Sequence, residues 1–220
     1  DGNLVVANNS SRLGFKFSED LGGSFFKKAV GQYEASVSID GEDAENTGGT
    51  TGTPAVTSVS TGLFGGAIRN SFLGVETAGG SVLAGIYDTP FKIVGRAVEL
   101  FPEQLGDARN LTSPGGASWD LRPSNVVAYM SPSLAGVSVA VAWTADASTG
   151  VNANTDNNAN TVASASVAYK GGPLYVAAAY EKHDSNILAT PGGAEDETGY
   201  RIVASGTFGI FKVIGLYQGL

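Results

Sequence analysis

The feature that most constrains the fold of this chain is an alternation of apolar and polar residues with a period of two. The alternating stretches run for about 8 to 12 residues, near the ~9 to 11 of a tilted membrane strand and longer than the ~5 to 6 of ordinary strands. The segments 11–21 and 136–145 show it, with Leu13, Phe15, Phe17, Val139 and Val141 on one face and Arg12, Lys16 and Ser138 on the other. The second face carries small polar side chains, which suit contact with water, rather than the bulky apolar ones of a buried core. The pattern therefore predicts an all-β chain that forms a transmembrane antiparallel β-barrel.

About ten strands fit this alternation, and their connections alternate in length. Short glycine-bearing turns, such as 21–23 and 170–173, alternate with long polar stretches, such as 40–61 and 146–161. Short turns at one end and long loops at the other are typical of barrels that span a membrane. No segment longer than a turn or two has a helical period. The predicted strands are 11–21, 27–40, 62–76, 80–88, 123–131, 136–145, 160–170, 173–183, 198–207 and 208–218.

Composition excludes several classes of function. Charged residues make up 15% of the chain, below the ~25% of soluble domains, yet no run reaches the ~18 apolar residues of a membrane helix. A net charge of −8 leaves no basic stripe for nucleic acid. His183 is the only histidine and there is no cysteine, so neither a transition-metal site nor a His-based catalytic triad is expected. The sequence therefore predicts no catalytic residue, metal or cofactor, and no enzyme.

A second class of protein fits part of this composition. A secreted or surface-attached all-β interaction protein, similar to an adhesin, would explain the content of Gly, Thr and Asn and the acidic charge. It would not explain arginines on the polar faces of the strands, such as Arg12 and Arg69.

Several segments resemble the general porins of Gram-negative bacteria. The segments 9–16 and 18–23 are similar to that family's second strand and the turn after it, and the later segments follow in the family's order. These later segments are 69–74, 85–90, 125–132 and 134–137. The resemblance extends over most of residues 9–145.

The resemblance implies a 16-stranded barrel, a homotrimer and a multi-pass location in the outer membrane, in contact with lipid and lipopolysaccharide. It implies a passive channel for ions and small hydrophilic solutes, without nucleic acid as a partner. Residues 1–220 are then expected to be a partial barrel, with one strand missing before them and about five after.

In this family the third loop folds inward and narrows the pore, and arginines on the opposite wall face its acids. The matching connection here is 89–122, whose segment 99–107 resembles the family's acidic loop motif, with Gln104 at a position that is normally Phe. The resemblance thus implies a pore constriction formed by Arg12, Arg69, Glu99, Glu103 and Asp107. Opposed charges across a narrow waist orient polar solutes and select ions.

The alternation adds expectations for individual side chains. Arg12 and Arg69 are expected to face the lumen because they oppose the aromatics of their strands, Phe15 and Phe17 in one and Phe72 in the other. Three further charged residues are expected only to solvate the wet interior: Lys16, Lys27 and Glu34. The apolar residues of loop 89–122 are expected to rest on the barrel wall; they are Val94, Val98, Leu100, Phe101, Leu105 and Leu111.

Overall fold

A computed structural model describes residues 11–37, 68–102, 104–112, 119–145, 161–184 and 196–220. Within them, ten antiparallel strands form one sheet in which each strand pairs with the next in sequence, so that β1 and β10 lie at its two edges. The prediction of about ten strands is confirmed. Their bounds are β1 Arg12–Asp20, β2 Phe26–Ser36, β3 Ser71–Thr77, β4 Gly80–Ile86, β5 Val126–Met130, β6 Val137–Thr144, β7 Val162–Gly171, β8 Leu174–His183, β9 Glu197–Phe208 and β10 Phe211–Gly219.

The sheet has one apolar exposed face and one face that is partly covered. On the face we call outer, Phe15 pairs with Tyr33 and both rings are exposed, Phe15 to 64%. The predicted outward residues Leu13, Phe17, Val139 and Val141 lie on the same face and are also exposed. The opposite, inner face carries Arg12, Lys16 and Ser138, as the alternation predicts.

Phe72 departs from the predicted pattern. It pairs with Gln32 on the inner face, and its ring packs edge-on against Tyr87. Between the pair Ala35–Ile68 and the pair Gln32–Phe72, the segment entering β3 has one residue more than β2, which is a β-bulge. The bulge shifts the alternation by one residue, so Arg69 and Phe72 share the inner face. Using Phe72 to mark the outward side of β3 was therefore wrong, although Arg69 does point inward toward Glu34.

The turns that join β1 to β2, β3 to β4, β7 to β8 and β9 to β10 are short. Gly172 and Gly209 sit in two of them with φ of +54° and +61°, a left-handed conformation that glycine adopts without a steric penalty. Residues 38–67 and 146–160 lie outside the described residues; they include most of two predicted long loops and also residues 62–67 of the predicted strand 62–76.

The connection between β4 and β5 contains two short helices that the sequence pattern did not predict: α1 Pro90–Arg96 and α2 Arg109–Thr112. Thr89 caps α1, since its side-chain oxygen accepts a hydrogen bond from the Lys92 backbone N–H at 3.3 Å. Pro90 takes the first helical position, where its missing N–H costs nothing. Among the described residues, no helix has the length and apolar character needed to span a membrane.

Two buried clusters cover the inner face. The larger joins α1 and Trp119 to β8 and β9, and its members are Phe91, Val94, Val98, Trp119, Ala177, Ala179 and Val203. The smaller lies on β4, β5 and β6, and its members are Leu83, Val126, Ala128 and Ala142. Both clusters lie on the inner face, and the larger one is where α1 of the connection 89–122 packs on the sheet.

Candidate functional site

Helix α1 lies flat on the inner face of β7, β8 and β9. Phe91 and Val94 are buried there against Ala177, Ala179 and Val203, whose small side chains leave room for the helix. The backbone N–H of Phe91 donates to the Ser164 hydroxyl of β7 at 3.1 Å. The polar side of the sheet therefore holds the helix by direct packing and by a hydrogen bond from the wall.

Arg201 of β9 is the main polar contact between wall and loop, and only 2% of it is exposed. Its guanidinium donates to the Phe91 carbonyl at 3.1 Å and to the Trp119 carbonyl at 3.3 Å, so it joins the two limbs of the loop. It also donates to the Gln218 amide oxygen of β10 at 2.8 Å and lies 4.2 Å from the centre of the Phe91 ring. Gln218 in turn donates to the Thr112 carbonyl at 2.7 Å. We call these two residues the Arg201–Gln218 clamp.

A charge network holds the two ends of the connection together. Asp88 lies 2.9 Å from both the Lys92 ammonium and the Arg122 guanidinium, and Lys92 donates to the Asp120 carbonyl at 3.0 Å. Burial raises the pKa of Asp88, but Lys92 and Arg122 outweigh that effect and hold the pKa below its ordinary value. Burial lowers the pKa of Lys92, against the opposing pull of Asp88 and Asp120. Asp88 therefore remains ionised between two cations.

Trp119 closes the loop onto the wall beside His183. Its indole stacks on the His183 ring with centroids 4.3 Å apart, and His183 Nε2 lies 2.9 Å from a Glu181 carboxylate oxygen. Gly199 of β9 faces the indole, because a Cβ at that position would collide with the ring. Trp119 is thus buried inside, whereas the other tryptophan, Trp143, is exposed on the outer face.

The two predicted arginines meet at one carboxylate. Arg69 Nε lies 2.8 Å from Glu34 Oε1, and Arg12 Nη1 lies 3.8 Å from the same oxygen. All three side chains retain some exposure, and that of Arg12 is 45% exposed. Glu34 was expected only to solvate the interior, but the structure places it between two of the predicted site residues.

The predicted acids of the loop lie in a different environment. Asp107 is 5% exposed and is paired with Arg109, 2.9 Å away, and with Arg96, 3.8 Å away. Glu99 is half-buried and accepts a hydrogen bond from the Ala108 backbone N–H at 3.0 Å. Glu103 lies outside the described residues. The loop therefore neutralises Asp107 with its own arginines, and Glu99 stabilises the turn that follows it.

The apolar residues of the loop divide into two groups. Val94 and Val98 are buried against the wall, as expected. The expectation was wrong for the other four, which are exposed: Leu100, Phe101, Leu105 and Leu111. They follow α1 in sequence and lie between the two parts of the loop whose carbonyls the Arg201–Gln218 clamp binds, Phe91 on one side and Thr112 and Trp119 on the other.

Sequence reasoning missed the residues that hold the loop, although some left signals. Arg201 and Glu181 lie on the polar side of strands whose outer positions are Tyr200, Ile202 and Tyr180, so alternation alone places them inside. Thr89 followed by Pro90 is a helix-start signal. Nothing local marks Trp119 as the residue that packs on the wall or Gln218 as a partner of the loop. Within the described ranges, no group of three or more His, Cys, Asp or Glu residues is placed to hold a metal ion.

The sequence and the structure were compared with those of known proteins. The family model described as Gram-negative porin matches residues 1–220. An anion-selective porin from Comamonas acidovorans has a similar structure, with a TM-score of 0.70 and 24% identity over 97% of this chain and 58% of that one. Salmonella typhi OmpF, in a complex with daunomycin, gives a TM-score of 0.66 and 17% identity, covering 94% of this chain and 57% of that one.

OmpT of Vibrio cholerae with its loop L8 deleted gives a TM-score of 0.62 and 17% identity, covering 99% of this chain and 63% of that one. The chain thus spans less than two thirds of the length of each of these structures, which share its fold of antiparallel barrel strands. A comparison with curated protein sequences finds no match. Because the family model matches the whole sequence, the chain belongs to the Gram-negative porin family.

Proposed function

We propose that the native protein is a passive diffusion channel for ions and small hydrophilic solutes across the outer membrane, and that loop 89–122 narrows it. The observation that carries the proposal is the packing of α1 on the inner face, where the Arg201–Gln218 clamp fixes both limbs of the loop. A long connection that buries apolar residues against the polar side of a barrel wall occupies part of the lumen. No catalytic residue is part of the proposal.

The charges that select ions are proposed to be Arg12 and Arg69 on the wall and Glu99 and Glu103 on the loop. Arg12 and Arg69 both lie within ion-pair distance of the Glu34 carboxylate, which brings two guanidinium groups together on the wall. Asp107 contributes less to the field in the pore, since it is buried between Arg96 and Arg109. Cationic and anionic groups facing a confined aqueous path orient dipolar solutes and discriminate between ions.

The outer face supports a membrane location and, with the family, a homotrimer. Exposed aromatic and aliphatic side chains cover it from β1 to β10, including Phe15, Leu73 and Ile202. A soluble adhesin-like protein would not expose so large an apolar surface to water. In the outer membrane this surface would meet lipid, lipopolysaccharide or neighbouring subunits.

Planar-bilayer recording of the native protein tests the proposal. Reversal potentials are measured under a salt gradient for the wild type and for two double variants, Arg12→Gln with Arg69→Gln and Glu99→Gln with Glu103→Gln. Removing the arginines is expected to shift ion preference toward cations, and removing the acids toward anions. Lys212→Gln, a charge change at the turn end of β10, serves as the control and is expected to leave the preference close to wild type.

Two outcomes would contradict the proposal at different levels. A protein that folds into a membrane but shows no conductance is not a channel. A conducting protein whose reversal potential stays unchanged in both double variants has its constriction elsewhere.

A further inference from the structure

A cavity of about 430 Å³ lies on the wall formed by β1 to β5, separate from the surface that α1 covers. Ten of its lining residues belong to the inner face, among them Lys16, Gln32, Phe72, Leu83, Tyr87 and Met130. Its volume is within the ~300 to 1,000 Å³ typical of small-molecule sites. We propose that this cavity is a binding subsite for aromatic monocarboxylates that enter the pore; the proposal rests on the channel function argued above.

The floor of the cavity is apolar, which is unusual for a surface that faces water. The rings of Phe72 and Tyr87 meet edge to face, with centroids 5.1 Å apart and an interplanar angle of 87°. The Tyr87 hydroxyl lies 3.9 Å from the Met130 sulfur, and Leu83 is buried below. The smaller buried cluster of Leu83, Val126, Ala128 and Ala142 supports these side chains from beneath. A rigid, recessed apolar floor favours a flat ring over a hydrated ion.

Two glycines account for the recess. Gly74 pairs with Val30 and Leu83, so no side chain fills the wall between them. Gly85 pairs with Phe72 and has a φ of +144°, a conformation that side-chain-bearing residues rarely adopt. A Cβ at Gly85 would also lie 2.8 Å from the Phe72 Cα. The backbone thus holds the floor open beside Phe72.

The lining carries one cation, Lys16, beside Phe72, and one carboxylate, Glu76, two inner-face rows away, where Glu76 pairs across the strands with Lys28. Lys16 pairs with Gln32, and Gln32 pairs with Phe72, so the ammonium-bearing side chain stands on the same cross-strand row as the ring. Lys16 is exposed. Its row is the next inner-face row after that of Glu34, the residue that joins Arg12 and Arg69. An anionic solute passing these arginines therefore reaches an ammonium group and an aromatic floor together.

The test compares benzoate with acetate, which carries the same charge without the ring. Each is added to the native protein in planar bilayers, and the concentration that halves the potassium chloride current is measured. Because an aromatic contact adds about 1 kcal/mol beyond burial of its area, benzoate is expected to act at a concentration about fivefold below that of acetate. Phe72→Ser should remove most of this difference and leave acetate unchanged, whereas Lys16→Gln should weaken both anions.

Matched controls separate the subsite from general effects. Leu73→Ser makes the same type of change on the neighbouring, outward-facing residue, and Lys212→Gln removes one positive charge outside the cavity. Both are expected to keep the benzoate preference. A channel that conducts but responds equally to benzoate and acetate overturns this inference and leaves the proposed function standing. Equal effects of Phe72→Ser and Leu73→Ser overturn it as well. Absence of conductance overturns the proposed function itself.

The wild-type comparison of the two anions needs no variant, so a Phe72→Ser protein that fails to fold does not prevent the test. Lys16→Gln changes an exposed side chain and is expected to fold normally.

Discussion

Two arginine sites on the same inner face have opposite environments. Near β1, Arg12 and Arg69 share Glu34 and remain partly exposed. On β9, Arg201 is buried beneath α1, where its guanidinium donates to two loop carbonyls and to Gln218. The same residue type is thus a partly exposed member of an ion-pair group at one place on the wall and a buried hydrogen-bond donor at the other. The difference is due to the loop, which covers Arg201 and excludes water from it but leaves Arg12 and Arg69 in partial contact with water.

The largest effect that this comparison predicts is for Arg201→Met. The change leaves the carbonyls of Phe91 and Trp119 and the amide of Gln218 without their buried partner, which costs about 3 kcal/mol of unfolding free energy. Arg12→Met is the matched control, and its exposed ion pair is expected to contribute at most about 1 kcal/mol. Urea unfolding of the refolded protein measures both, and single-channel noise from a loosened loop should rise in Arg201→Met alone. Equal losses in the two variants would contradict the distinction between the sites.

A second prediction concerns the close approach of the loop to β9. In Gly199→Ala the new methyl group collides with the Trp119 ring, so we expect a loss of about 1 to 3 kcal/mol, typical of overpacking. Gly215→Ala on the neighbouring β10 is the control, because a Cβ there meets nothing within 4 Å. The same urea titrations compare them. A Gly199→Ala protein as stable as Gly215→Ala would show that Trp119 does not rest on β9.

The cap of α1 gives a third, smaller effect. Thr89→Ala removes the oxygen that accepts from the Lys92 N–H and should destabilise the loop by about 1 kcal/mol. Thr89→Ser keeps that oxygen and is expected to retain most of the wild-type stability. The readout is protease susceptibility of the loop at equal protein concentration, and similar cleavage of the two variants would argue against the cap.

The smallest effect on stability is expected for Glu34→Gln. The ion pairs it breaks are partly exposed and contribute under about 1 kcal/mol. The change nevertheless leaves Arg12 and Arg69 without their shared carboxylate, so the reversal potential should move toward anions. Glu19→Gln removes the same charge from the outer face of β1 and should not move it. A Glu34→Gln channel with the wild-type reversal potential would place these arginines outside the ion path.

Much of the wall follows from sequence alone. The alternation of Leu13, Phe15 and Phe17 with Arg12 and Lys16 defines the two faces of β1, because successive side chains of a strand point to opposite sides. The same rule predicts about ten strands, and the structure has ten, each paired with the next in sequence. The alternation rule fails at β3, where the bulge before Phe72 exchanges the inward and outward positions. No residue near the bulge indicates its presence in the sequence.

The tertiary structure alone decided which inner-face residues are wet and which are buried. Alternation places Arg12 and Arg201 on the same side, but only the position of loop 89–122 makes one exposed and the other a buried clamp. The contacts that set that position join residues far apart in the chain, such as Arg201 to Phe91 and Gln218 to Thr112. A period of two reports the direction of a side chain relative to its own strand. That period carries no information about which distant segment of the chain covers the side chain.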